Sequence, residues 1–113
     1  MANHIRIDRV TQGPDGHETP ADRLRVDSND FLWFYVEAEL PSAGPPLGEY
    51  FSMRNGKPDP ATRFVLSPPT VVRRQYRFLV AHGLLSSKKS YLFHFVDNFA
   101  APKFHDQWEV ETV

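Results

Sequence analysis

Histidines, carboxylates and serines are the residues of this 113-residue chain that could do acid–base, metal or nucleophilic chemistry. The five histidines, His4, His17, His82, His94 and His105, include no two at helical or hairpin metal-ligand spacing, and His105-Asp106 by itself is too short for a site. The spacing therefore predicts no metal. His94, set among aromatic residues, reads as a hydrogen-bonded core or sheet-face histidine. The absence of cysteine removes disulfides, thiolate zinc sites and a thiol nucleophile together. The serines stand in no Gly-x-Ser-x-Gly elbow, and the one carboxylate pair on a common strand face, Glu37 and Glu39, is placed where a neighbouring Lys or Arg would neutralise it. No Gly-x-Gly-x-x-Gly or Walker pattern occurs to cradle a phosphate. These residue types point away from catalysis and from any cofactor.

Aromatic residues offer a different chemistry. Along Phe31–Leu40, Leu32, Phe34, Val36, Ala38 and Leu40 alternate with Phe31, Trp33, Tyr35, Glu37 and Glu39. With the first set in the core, Phe31, Trp33 and Tyr35 stand on the outer face of the same sheet. If the central and penultimate strands are neighbours, Tyr91, Phe93 and Phe95 line up beside them, and the patch is of the size that marks a partner surface. Phe31, Trp33, Tyr35 and Phe93 are thus the expected contact residues. The alternatives are that residues 11–22 or the proline-rich segment 41–46 fold over the rings, that the inward and outward faces are reversed, or that a sugar or other small ligand stacks on Trp33 and Tyr35.

Charge supplies the second candidate surface. The formal net charge is −1, too little positive excess for generic nucleic-acid binding. It is nevertheless uneven: residues 1–56 carry five basic and nine acidic side chains, residues 57–113 eight and five. Arg73, Arg74, Arg77, Lys88 and Lys89 fall in one stretch without an acid, so an Arg73/Arg77 strand edge could steer association with an acidic surface, including that of a second copy. The bland reading is a solvated edge that discourages strand pairing. The longest apolar run, Phe31–Val36, is far below the ~20 residues of a membrane-spanning helix. The N-terminal residues alternate polar and apolar without an apolar signal core, which makes a cytoplasmic location the expectation, with an exported module compatible if a leader was removed.

The elements that must position these residues are strands. Period-two alternation recurs at His4–Val10, Phe31–Leu40, Gly48–Arg54, Thr62–Leu66, Ser90–Asp97 and Gln107–Val113, with a shorter stretch at Leu24–Val26. Val71–Leu85 also fits helical spacing but reads as one strand, since Arg73, Gln75 and Arg77 then lie outside and Tyr76, Phe78 and Val80 inside. Gly13-Pro14-Asp15-Gly16 and the proline-rich 41–46 are connections, and Asn55-Gly56 is a hairpin reversal. Seven or eight short strands with regular turn signals predict a single all-β domain over 1–113, an antiparallel two-sheet sandwich. The long strand Phe31–Leu40, the turn Asn55-Gly56-Lys57-Pro58-Asp59 and the segment Leu84–Phe95, with Tyr91 opening the penultimate strand, resemble an immunoglobulin-like or fibronectin-like β-sandwich. The resemblance implies a tyrosine whose hydroxyl caps the preceding loop. It departs from antibody domains in lacking the cysteine pair against which Trp33 would pack. The expected function is a non-catalytic protein-interaction or assembly module, with a protein partner or a homodimer. The alternative is a small-molecule or carbohydrate binder with an aromatic platform ringed by Glu37, Glu39 or His94.

Overall fold

A computed structural model describes residues 3–21, 25–42 and 44–113. Among them are β1 (His4–Gln12), β2 (Thr19–Pro20), β3 (Leu32–Glu39), β4 (Leu47–Arg54), β5 (Lys57–Pro58), β6 (Phe64–Val65), β7 (Thr70–Val72), β8 (Gln75–Val80), β9 (Ser90–Val96) and β10 (His105–Glu111). One sheet has the order β2-β1-β3-β8-β7; the other runs β10-β9-β4-β5, with β6 also paired to β4. The ladders are antiparallel. Leu24 of the expected strand Leu24–Val26 lies outside the described residues, while Val26 forms an isolated parallel bridge with Thr112. No helix among the described residues is long and apolar enough to cross a membrane.

Alternation assigns each strand one core face. From β3 come Leu32, Phe34 and Val36, from β8 Phe78 and Val80, and from β9 Tyr91, Phe93 and Phe95, all buried. Phe34 meets Phe93 at 4.5 Å and Phe95 at 5.3 Å between ring centroids, and Phe78 meets Phe95 at 4.7 Å. Each buried phenylalanine contributes roughly 2–3 kcal/mol, and a tilted ring pair adds about 0.5–1.5 kcal/mol. This contact corrects the expected neighbourhood: β3 and β9 do not lie side by side but face each other from different sheets. Both carry their most apolar residues on one face, and only opposite layers can bury both faces against each other.

Three local features orient the chain around this core. In β1, Ile7 opposes Val36 while Arg9 opposes Tyr35, so Asp8 is an extra residue in a bulge. The bulge keeps Ile5, Ile7 and Val10 inside but turns Arg9 and Thr11 onto the outer face beside Tyr35 and Trp33. Ile7 N–H, next to the bulge, donates to Asp106 Oδ2 at 2.8 Å and links β1 to the far sheet's edge. Tyr91 hydroxyl accepts from Ser86 N–H at 2.8 Å, fastening the loop before β9.

The stretch Val71–Leu85 is not one strand. Arg73 and Arg74 both have positive φ, 49° and 69°, and close a two-residue hairpin between β7 and β8. Glycine and asparagine favour that geometry, so two arginines gave no turn signal. The alternation of Tyr76, Phe78 and Val80 survives because β8 by itself carries it. Asn55-Gly56, at φ 54° and 76°, forms the expected reversal.

Gly48 lies buried between the sheets, where an added Cβ would stand 2.9 Å from Leu66 Cδ1, 3.0 Å from Phe95 Cε1 and 3.2 Å from Phe78 Cε2. Overpacking costs about 1–3 kcal/mol, more than the roughly 0.4–1 kcal/mol gained by stiffening the unfolded chain. Gly48→Ala is therefore expected to lower stability by about 1–2 kcal/mol in urea titration, and an unchanged midpoint would contradict the close approach. By the same logic of backbone strain, the double substitution Arg73→Asn and Arg74→Gly should raise stability by on the order of 1 kcal/mol, seen as a higher melting temperature.

Candidate functional site

The outer face of the β3 sheet is covered by the chain's own loop. Gly13 and Gly16, at φ 116° and 85°, let residues 13–18 fold back, and a Cβ on Gly13 would stand 2.8 Å from the His17 carbonyl oxygen. Trp33 Nε1–H donates to the Gly13 carbonyl at 2.8 Å, and Tyr35 hydroxyl donates to Glu18 Oε1 at 2.6 Å. The Arg77 guanidinium lies 3.6 Å from the Trp33 ring centroid and donates to Glu18 Oε2 at 2.6 Å and Asp15 Oδ1 at 2.8 Å. Arg9 stacks on Tyr35 at 3.8 Å, and Thr11 hydroxyl donates to Glu18. Trp33 and Tyr35 keep only 9% and 4% of their surface.

The expected contact residues are consequently dispersed. Trp33, Tyr35 and Arg77 come together, but beneath a roof. Phe93 is in the core of the other sheet with no exposed surface. Phe31 sits at the rim, edge-on to His82 at 5.0 Å. Arg73, in the hairpin turn, lines a shallow depression with His4, Glu37, Glu39, Arg74 and Gln75. It shares no open surface with Arg77, whose side chain is 11% exposed. The physical reason is that the loop supplies a carboxylate to the outward arginine and tyrosine, so that rings, ion pair and hydroxyls are buried together. Among the described residues, Arg77 Nε is left as the one buried polar atom of the roof that has no hydrogen-bond partner.

Glu18 is the centre of that balance. Burial alone raises its carboxyl, and the Thr11 and Tyr35 hydroxyls with the Arg77 charge outweigh it, leaving it below the usual 4.5. The Tyr35 phenol is pushed above 10 by burial and then by the Glu18 carboxylate.

The outer face of the second sheet holds a chain of ionisable groups that spacing along the sequence does not show. Glu49 on β4 is 8% exposed. Its Oε1 accepts from Arg63 Nε at 2.6 Å and its Oε2 pairs with His94 Nδ1 at 3.0 Å. His94 Nε2 in turn faces His105 Nδ1 at 3.3 Å. Arg63 also lies 4.5 Å over the Phe99 ring. The pairing of Glu49 with His94 and of Val96 with His105 brings these residues together. The signal that could have found them is the hairpin register around residues 97–104, which puts His94 and His105 diagonally on one face.

Below this face, a cleft of about 280 Å³ opens between the sheets, lined chiefly by apolar residues that include Pro45, Leu47, Val65, Leu66, Phe78 and Phe99. Leu47 and Val65 on its rim, and Phe64 beside them, are 37%, 48% and 48% exposed. Gly48 also contributes to its wall.

No protein-family model and no curated protein matches the chain.

Because the Glu18 carboxyl is lower in the folded protein than in the unfolded chain, its stabilising effect is complete above about pH 4.5 and is lost as pH falls through the depressed folded value. Glu18→Gln is expected to cost about 1–3 kcal/mol at pH 7, with the gap to the parent protein narrowing as pH falls below 4.5 in urea titrations. A gap that stays constant over that range would exclude an ionised Glu18 as the keystone of the roof.

Proposed function

We propose that the protein is a non-catalytic, immunoglobulin-like binding module that takes an apolar side chain of a partner protein's extended segment into the cleft beside β4 and β6. The single observation that carries this reading is the cleft itself, apolar in its walls and rimmed by exposed Leu47 and Val65. Its 280 Å³ lies under the roughly 300–1,000 Å³ of small-molecule sites, so it suits one or two side chains of a longer partner better than an enclosed ligand. Among the described residues β6 pairs with β4 on one side only, and its outer edge can accept an added strand whose backbone supplies hydrogen bonds while a side chain fills the cleft. The immunoglobulin-like assignment is supported by the strand order, with β1, β3, β8 and β7 opposite β10, β9 and β4, and by the Tyr91 hydroxyl fastening the preceding loop.

The carbohydrate reading loses its platform here, since guanidinium groups already stack on Trp33 and Tyr35. Selection of a random peptide display library on the intact protein tests the proposal. Enriched peptides should carry alternating apolar residues and should lose binding at least tenfold to Val65→Glu and Leu47→Asp, which lie at exposed positions. Binders indifferent to both substitutions, or no enrichment, would overturn it. Light scattering at two concentrations decides whether a second copy is the occupant: a mass that doubles with concentration in the parent protein and not in Val65→Glu would assign the cleft to self-association and replace the partner-protein reading.

A further inference from the structure

We infer that His94 and His105 form a two-histidine site for a borderline divalent transition metal, of the Cu²⁺, Ni²⁺ or Zn²⁺ class, with Glu49 as the residue that orients the His94 ring. Three observations converge on it. First, the two ring nitrogens that face each other, His94 Nε2 and His105 Nδ1, are 3.3 Å apart. Two nitrogens bound to one tetrahedral zinc at about 2.0–2.1 Å are themselves about 3.3 Å apart, so the two rings already stand at ligand separation. The rings are inclined by 72°, and His105 is exposed, so a small rotation about its side-chain bonds brings its lone pair onto an ion beside the Nε2 of His94.

Second, the His94 tautomer is set from behind. Glu49 Oε2 lies 3.0 Å from His94 Nδ1, which places the ring's proton on Nδ1 and the lone pair on Nε2, toward His105. A carboxylate behind a histidine is the arrangement that fixes a metal-binding imidazole and raises its basicity. Third, Glu49 cannot turn away easily. Its other oxygen is held by Arg63 Nε at 2.6 Å, and its side chain is 10% exposed, so it acts as a support and not as a ligand.

The proton account closes. In the metal-free neutral pair, the proton between the rings belongs to His105 Nδ1 and is donated to His94 Nε2. Metal binding takes both lone pairs, and that proton moves by way of solvent to His105 Nε2, with no net release. Among the described residues no cluster of three or more histidine or carboxylate side chains is arranged for a metal. The remaining coordination positions fall to water or to a group brought by another molecule, which makes the site open and its affinity order that of the ions themselves, with Cu²⁺ above both Ni²⁺ and Zn²⁺.

Calorimetric titration of the full chain with Ni²⁺ in a non-coordinating buffer tests this. One equivalent is expected to bind. His105→Gln and His94→Gln should each weaken it at least tenfold, Glu49→Gln should weaken it roughly 10–100-fold, and His82→Gln should leave it unchanged. With Cu²⁺, electron paramagnetic resonance of the parent protein should show two coupled imidazole nitrogens, and His105→Gln, an exposed position, should show one. Nitrogen chemical shifts of the unsubstituted protein give a reading independent of any variant, with His94 Nε2 and His105 Nδ1 expected to move on adding Zn²⁺ while the His82 ring stays still. No binding by the parent protein at millimolar Ni²⁺, or an affinity that His105→Gln leaves intact, would overturn the assignment and leave the pair as a hydrogen bond.

Discussion

The guanidinium of Arg77 governs how this protein meets its surroundings. It stacks on Trp33, donates to Glu18 and Asp15, and so ties the loop of residues 13–18 across the β3 sheet. Its value depends on completeness. A buried ion pair gains little net stability over a well-packed apolar substitute, but removal of one member leaves the other charge poorly compensated, here with only the exposed Asp15 to share Arg77. The aromatic roof is therefore all or nothing. The bulge at Asp8 belongs to the same device, because it turns Arg9 and Thr11 outward to share Tyr35 and Glu18 with Arg77.

Once that face is closed, the open chemistry shifts to the other sheet and its lower edge. There Glu49, held between Arg63 and His94, stands beside a cleft whose wall includes Gly48. The two features are next-door neighbours in sequence and point to opposite faces of β4, one into the core side and one outward, as strand alternation requires. A single strand thus borders an apolar recess on one face and carries part of a hydrogen-bonded row of ionisable groups on the other.

Much of this fold was legible in the sequence, and the reason lies in period two. The inward set Leu32, Phe34 and Val36 and the Asn55-Gly56 reversal express local rules that need no knowledge of the rest of the chain, and the Tyr91 hydroxyl contact is the one that the sandwich resemblance implied, whereas Tyr91, Phe93 and Phe95, expected beside the outer rings, face the core. Local rules failed where the chain broke them. Arg73 and Arg74 turn without the residues that announce a turn, so one expected strand became a hairpin. The histidine pair was invisible because ligand spacing along a strand pair follows register, and register across residues 97–104 depends on a loop of uncommitted length.

What the amino-acid sequence determined by itself was the class of elements and which side of each strand is apolar, since both follow from side-chain types at alternate positions. Which sheet each strand joins, and hence whether an outward ring meets solvent, a loop or another ring, was decided only by tertiary structure. Trp33 and Phe93 show the difference. Both belong to clear strands, yet one was sealed by the Gly13 loop and the Arg77 guanidinium and the other by the opposing sheet, because burial is a property of what lies above a residue and alternation describes only what lies beside it.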